Sequence, residues 1–386
     1  NINKIIDEAK KKKIKIISDL ELINIFNLDN LKIGVTGTNG KSTTTKFIES
    51  TLSLGKKRAI ACGNIGLPIA SVLNKIKKSD ILVVESSSYQ LDKIDLLKFD
   101  IAILLNLAND HLDWHSTFKN YKSSKLKIFE NQDKNCFSII CLDDKNCKKI
   151  AKEFSYYYNS SLIKISTTSS LKDGIYLKKL KDGIKIFNNL NGDVIFLKNN
   201  LFKFTLSNHN FQNLLATYAV NYLLDKSSKK FEASIKKIKN LEHRIEFVGK
   251  YKNLCFYNDS KATNLESSQN AIQTFSNIYW ILGGRKKTGG LTGIDKYLKN
   301  VLSAFCIGEC GEDFNNFLKK RAIESVFCKE LNLALFLAVR KALKEKKIIN
   351  ILFSPACSSF DQFSNFEDRG KKFKLLVKKI TNNEKV

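Results

Sequence analysis

The sequence predicts an α/β protein with two folded domains. The first is a central phosphate-loop (P-loop) domain with a mostly parallel sheet and a small antiparallel insert; the second is a doubly wound, Rossmann-like α/β domain. Three observations carry that expectation. Short apolar runs alternate with helical segments in both halves of the chain, the texture of strands covered on both faces. Asp-Gly and Asn-Gly pairs, which favour tight hairpins, cluster between about 160 and 206. A length of 386 residues exceeds one ordinary domain and suffices for two real cores.

Taken in order, residues 4–25 pattern as a helix and a short connection, and LKIGV (31–35) is a strand that runs into GTNGKST (37–43) and a helix from about Ser42 to Leu54. RAIAC (58–62), ILVVE (81–85) and IAILLNL (101–107) repeat the buried-strand pattern with helical segments between them. Asp173-Gly174, Asp182-Gly183 and Asn191-Gly192 are read as hairpin turns of the antiparallel insert. Helices are expected at about 209–224 and 228–240. Strands follow at LCFYN (254–258), IYWILGG (278–284), VLSAFCIG (301–308), ESVFC (324–328) and NILFSP (350–355). The expected limits are a linker at 1–28, a nucleotide domain at 29–241 and a second domain at 242–386.

Composition narrows the function classes. The formal charge of +27 suggests a basic P-loop ATPase that binds nucleic acid, but the lysines are spread along the whole chain without a basic stripe interleaved with aromatics. Cysteines at 62, 136, 141, 147, 255, 306, 310, 328 and 357 are odd in number, and none forms a C-x-x-C pair, so reduced thiols are expected. No apolar run reaches the eighteen or so residues of a membrane span and the N-terminus is not a signal peptide, which predicts a cytoplasmic protein. The chain starts at Asn1 and contains no methionine, so a segment upstream is expected.

The loop after the first strand departs from G-x-x-x-x-G-K-[ST], because Val35 stands where the first glycine would be and glycines fall at 34, 37 and 40. Strand, glycines, Lys41 and Ser42 nonetheless fall in register for a polyphosphate: backbone N–H groups at a helix N-terminus, a lysine for the terminal oxygens and a hydroxyl for Mg²⁺. Glu85 ends ILVVE, at a sheet edge from which an acidic side chain can reach the same magnesium. NLANDHLDWH (106–115) brings Asn106, Asp110, His111 and Asp113 together; on spacing alone His111 is equally a metal ligand or a surface histidine. Lys125 follows on a helical segment. HRIEFV (243–248), NDSKATN (258–264), ILGGRKK (281–287) and FSPACSSFDQFSNFEDRG (353–370) are polar clusters at or beyond strand ends, where open α/β sheets bind ligands.

These motifs, in the order GTNGKST, GNIGLP (63–68), ESSSYQL (85–91), DHLDWH (110–115), HNFQN (209–213), HRIE, NDSKATN, GGRKK and SPACSSFDQFSNFEDRG, resemble the Mur ligases. These are the ATP-dependent amide-bond-forming enzymes of bacterial cell-wall synthesis; the last motifs are most similar to the D-glutamate-adding branch. The resemblance implies that Gly37, Thr38, Asn39, Gly40, Lys41, Ser42 and Thr43 hold ATP, with Asn210, Asn213, Arg244 and Asp259 on the nucleotide. It implies two Mg²⁺ ions held by Ser42, Glu85, His111 and Lys125, the lysine as its carbamate, with Lys41, Glu85, His111 and Lys125 catalytic. Asn64, Ser87 and Gln90 would contact UDP-N-acetylmuramoyl-L-alanine, and Lys261, Thr263, Lys287, Ser359, Phe360 and Phe366 would form the D-glutamate pocket. A monomer is expected. Such enzymes carry a domain for the uridine diphosphate end ahead of the ATP domain, so residues 1–28 are expected to be a remnant of it. Ser207 in place of a glycine, Tyr89 of a Phe and Trp114 of a basic residue depart from the family pattern without removing a reacting group.

Overall fold

In the computed structural model the chain divides into two compact units, Asn1–Lys239 and Asn240–Val386. Residues 2–53, 57–110, 112–202, 208–224, 227–238, 241–285 and 289–382 are described.

The first unit is built on one nine-stranded sheet. Its strands are β1 (Leu31–Thr36), β2 (Ala59–Gly63), β3 (Ile81–Glu85), β4 (Ile101–Leu104), β5 (Phe137–Cys141), β6 (Ser161–Ser166), β7 (Ile175–Leu180), β8 (Gly183–Asn188) and β9 (Asp193–Lys198), in the order β2-β3-β1-β4-β5-β6-β7-β8-β9. Neighbours pair in parallel from β2 through β7, and β7, β8 and β9 pair antiparallel. The central strands read as unbroken apolar runs because both faces are covered. In β4, Ile101 and Ile103 enter the core beneath helices Lys41–Leu52 and Asn208–Leu223, while Ala102 and Leu104 enter the opposite core with Leu91, Phe99, Phe129 and Phe154.

The expected antiparallel insert is thus the far edge of the same sheet. Its first strand, β6, is parallel to both neighbours, so Asp173-Gly174 lies in a parallel connection and makes no hairpin. The β7–β8 and β8–β9 turns, at Asp182 and at Asn191-Gly192, are hairpins as expected. Strand β5 has no counterpart in the expectations. The helix expected at 228–240 is shorter, Ser228–Ile235, and is capped by Ser227, whose hydroxyl accepts from the Lys230 N–H.

The second unit holds a six-stranded sheet in the order β10-β11-β15-β12-β13-β14, with β10 (Glu246–Tyr251), β11 (Leu254–Asn258), β12 (Ile278–Gly283), β13 (Val301–Ile307), β14 (Glu324–Lys329) and β15 (Ile349–Phe353). All pairs are parallel except β10–β11. β10 falls within the segment read only as a polar cluster. Alternation along β12 sends Tyr279 and Ile281 into one core and Trp280 and Leu282 into the other. Because β15 returns between β11 and β12, the loops after β11, β12, β13 and β15 gather at one carboxyl edge, the place where this kind of sheet binds ligands.

Candidate active site

Gly40, at φ +87°, caps the helix Lys41–Leu52, a conformation that side chains rarely adopt. A Cβ there would come within 2.5 Å of Asn213 Oδ1. Asn213 is buried, accepts from the Thr44 hydroxyl at 3.1 Å and donates to Asn210 Oδ1 at 3.1 Å. Asn106, at the end of β4, holds the loop from the other side. Its Oδ1 accepts from the Asn39 N–H at 2.8 Å, its carbonyl accepts from the Thr38 N–H at 2.9 Å, and its Nδ2 donates to the Asn39 carbonyl and to Gln212. The Lys41 ammonium donates to the carbonyls of Gly37 and Thr38, both at 2.8 Å, and Ser42 and Thr43 are buried in the first helical turn.

Glu85 is only 1 % exposed at the end of β3. Its Oε1 accepts from Asn64 Nδ2 at 2.9 Å, while Oε2 is buried with no protein partner. An orphaned carboxylate oxygen is costly to bury and fits a cation. Lys125 is also 1 % exposed, on the helix Phe118–Leu126. Its Nζ donates to the Gly37 carbonyl at 2.9 Å and lies 4.9 Å from the centre of the Tyr121 ring. Burial, and then the neighbouring Lys41 charge, hold its pKa well below the ordinary lysine value, against the opposing pull of Asp110 and Glu85. Lys41, Glu85, Asp110 and Lys125 therefore share one electrostatic neighbourhood with the loop. His111 and Lys287 lie outside the described residues.

Ser87 and Gln90 form a capping box at the helical turn Ser88–Leu91: the Gln90 N–H donates to the Ser87 hydroxyl at 3.3 Å, and the Ser87 N–H donates to Gln90 Oε1 at 3.1 Å. Gln90 also donates to Asp19 at 2.9 Å. The motif reading missed His115, which is buried with Nε2 3.0 Å from the Ser88 hydroxyl, and Tyr121, whose hydroxyl is 2.9 Å from that of Thr38. The i, i+4 spacing of Tyr121 and Lys125 was a usable signal, since it sets both on one helix face.

In the second unit, Asp259 follows β11 and is 6 % exposed. Ser354 donates to its Oδ2 at 2.7 Å and the Ile245 N–H to its Oδ1 at 3.1 Å, yet burial pushes its pKa up to about 7, against those bonds and the charges of Arg244 and Arg369. Arg244 is flanked by His243 at φ +64° and Ile245 at φ +45°; the second is strained for a β-branched residue. Lys261 lies 5.0 Å above the Phe366 ring, Ser359 is buried and Phe360 is exposed. Thr263 donates its N–H to the Lys261 carbonyl at 2.9 Å. Arg369, also missed, is buried and ties these loops: its guanidinium donates to the Ser260 hydroxyl and carbonyl and to the Cys357 carbonyl at 2.8–3.0 Å. At the end of β12, Gly284 lets the Ser358 segment approach, since a Cβ would lie 2.3 Å from the Ser358 carbonyl oxygen.

This arrangement has close parallels. Residues 35–221 match the Mur ligase middle domain. The chain is 37% identical over 378 residues to the UDP-N-acetylmuramoylalanine--D-glutamate ligase of Rickettsia felis, covering 98% of this chain and 82% of the relative. It is 35% identical to the ligase of the same name from Wolbachia pipientis, covering 98% and 83%, and 33% identical to that of Bacillus thuringiensis, covering 98% and 81%. Among solved structures, the MurF ligase of Thermotoga maritima in complex with ADP superposes with a TM-score of 0.68 at 18% identity, covering 94% of this chain and 83% of that one. The UDP-N-acetylmuramate-alanine ligase MurC of the same organism gives 0.65 at 17%, covering 98% and 82%. These two likenesses are of fold. With identity above 30% along nearly its full length, and with a phosphate loop held between Asn106 beyond a strand end and Asn213 on the helix Asn208–Leu223, the chain belongs to the Mur ligase family.

Proposed function

We propose that the chain is an ATP-dependent ligase that joins D-glutamate to UDP-N-acetylmuramoyl-L-alanine in peptidoglycan precursor synthesis, releasing ADP and phosphate. The names borne by its relatives support this substrate pair. The observation that carries the chemistry is the trio around the loop: Lys41 on its carbonyls, buried Glu85 with one oxygen bare, and buried Lys125 sealed against Gly37.

A carboxylate is a poor acceptor for an amine, so it is first activated. An oxygen of the alanyl carboxylate attacks the γ-phosphorus, the bond to the bridging oxygen breaks and ADP leaves. The D-glutamate amine then attacks the acyl carbon, loses a proton, and the tetrahedral intermediate expels phosphate. The amides of residues 37–43 and Lys41 would bind the phosphates, neutralising charge on the transferring group. Ser42 and Glu85 fit a divalent cation, with Asn64 steering the carboxylate; two Mg²⁺ ions, when bound, supply further neutralisation of the phosphate charge. His111 and Lys125 are assigned to the second. Burial lowers the pKa of Lys125 and so favours its neutral amine, the form that attacks CO₂ at carbon and loses a proton to give an anionic carbamate. An ammonium there would repel the metal; a carbamate attracts it.

Asn210, Asn213, Arg244 and Asp259 are assigned to the nucleotide, and Asn64, Ser87 and Gln90 to the muramoyl substrate. Lys261, Thr263, Lys287, Ser359, Phe360 and Phe366 are assigned to D-glutamate. The enzyme is proposed to act as a cytoplasmic monomer. Among the described residues no helix is long and apolar enough to cross a membrane. The test is phosphate release with the muramoyl substrate and D-glutamate, L-glutamate, L-alanine or a diamino acid. Stimulation by D-glutamate alone is expected. Preference for another amino acid overturns the specificity, and ATP turnover driven by nucleic acid overturns the class.

A further inference from the structure

Cys310 and Cys357 meet at the carboxyl edge of the second sheet, their sulfurs 3.2 Å apart and both residues buried. Among the described residues this is the one sulfur–sulfur contact. Both pack on Gly284, at the end of the strand between them: the Cys310 N–H donates to the Gly284 carbonyl at 3.0 Å, and a Cβ on Gly284 would lie 3.1 Å from that of Cys357. The two thiols are not equivalent. Cys310 is the N-cap residue of the helix Gly311–Lys319; its sulfur makes no capping hydrogen bond, but the helix N-terminus favours negative charge nearby. Hydrogen bonding from Cys357 pulls the Cys310 thiol below its ordinary pKa, and the same bond pushes that of Cys357 up.

We infer that Cys310 and Cys357 are a modification site at which a peroxide forms a disulfide, tethering the loop 354–360 to the start of the helix Gly311–Lys319. The Cys310 thiolate attacks one oxygen of hydrogen peroxide; the O–O bond breaks, leaving a sulfenic acid and a hydroxide that is protonated to water. The Cys357 sulfur then attacks the Cys310 sulfur, the S–O bond breaks, and the departing oxygen leaves as water with the thiol proton. Two thiols and one peroxide become one disulfide and two waters. Closing the sulfurs to bonding distance requires about 1 Å of movement. That movement bears on a loop with little slack: the Cys357 carbonyl accepts from Arg369 at 3.0 Å, and the Ser358 carbonyl accepts from the Arg285 N–H at 3.0 Å. Ser359 follows directly, so the tether acts on the amino-acid pocket, an effect that rests on the assignment of Ser359 above.

The experiment treats the whole chain, under native conditions, with hydrogen peroxide. Peptides are mapped without reductant, and the KM for D-glutamate is measured before and after dithiothreitol. A linked pair of peptides containing Cys310 and Cys357 is expected, with a several-fold rise in KM, both reversed by dithiothreitol. Cys310→Ser and Cys357→Ala should each abolish the linkage, and the KM of Cys310→Ser should not respond to peroxide. If both thiols stay reduced at doses that oxidise the partly exposed Cys255, the contact is packing and the inference fails. A linkage with unchanged KM overturns the coupling to the pocket and leaves the disulfide standing. Because the peptide map needs no substrate, it decides the linkage even if the D-glutamate assignment fails.

Discussion

Burial shifts the pKa of two side chains, and each shift gives a measurable consequence. Lys125 is sealed against the phosphate loop with its pKa lowered, a setting that favours carbamate formation. Lys125→Ala is expected to lose at least a hundredfold in turnover, about 2.7 kcal/mol of barrier, and to regain part of it with added formate or acetate. Lys125→Arg should not respond, because a guanidinium fills the space with the wrong charge. Full turnover in the unsupplemented alanine variant would end the carbamate assignment. For Asp259, the folded-state pKa of about 7 lies above the ordinary 3.8, so the folded protein holds this proton more tightly than the unfolded chain. Its contribution to stability is complete below about pH 4 and is lost as pH rises through 7. Trp280, which donates to the Ser354 carbonyl at 2.8 Å beside this carboxyl, is a local reporter. Denaturant unfolding followed by Trp280 fluorescence in a Trp114→Phe background should show stability falling from pH 4 to 7, and Asp259→Asn should flatten that slope. An equal slope in the Asn variant would show that Asp259 is ionised throughout.

The phosphate loop works as an element because its two flanks are fixed by other strands and helices. The side chain of Asn106, just beyond β4, satisfies two of its backbone groups, and Asn213, on the helix Asn208–Leu223, packs where Gly40 has no Cβ. Gly40→Ala adds a left-handed alanine, about 1–2 kcal/mol, and a 2.5 Å contact with Asn213 Oδ1. Calorimetric titration with Mg-ATP should show affinity weakened by at least about tenfold. Adding Asn213→Ala removes the contact but not the backbone strain, so recovery should be partial at best. Unchanged ATP affinity in the single variant would mean that the loop amides do not bind phosphate. The same element shows the limits of motif spacing. GTNGKST was legible as a strand-to-helix phosphate loop, but nothing in the neighbouring sequence says which distant residues hold it.

At the scale of the molecule, two units each bury their own cores on both faces of a sheet. Each is large enough to unfold as a cooperative block. Hydrogen exchange at increasing guanidinium, read peptide by peptide, should therefore show the peptides of the nine-stranded sheet losing protection together and those of the six-stranded sheet together. Mg-ATP at about a hundred times its dissociation constant should stabilise the first block by about 2.7 kcal/mol. A first block that ignores nucleotide would contradict the assignment of the phosphate loop.

Most of the strands were legible because burial on both faces forces unbroken apolar runs, as in ILVVE and IYWILG. The placement of Lys41, Ser42 and Glu85 around one loop was legible because a phosphate loop is a local pattern: a few glycines, a lysine and a hydroxyl stand in fixed register after a strand, and Glu85 ends the neighbouring strand. β10 was not, since EFVGKY is an edge strand of half-exposed residues with no apolar run to betray it. Nor was the pairing of β6, because the partner of a strand is chosen by the sheet as a whole and Asp173-Gly174 looks the same in a hairpin or a crossover. Only tertiary structure made Lys125 unlike the other lysines of so basic a chain, left one oxygen of Glu85 bare, and brought Arg369, Ser354 and the Cys310–Cys357 pair to the sheet edge. Burial, and the electrostatics that follow from it, belong to the packed chain, because they depend on which distant segments exclude water from each group.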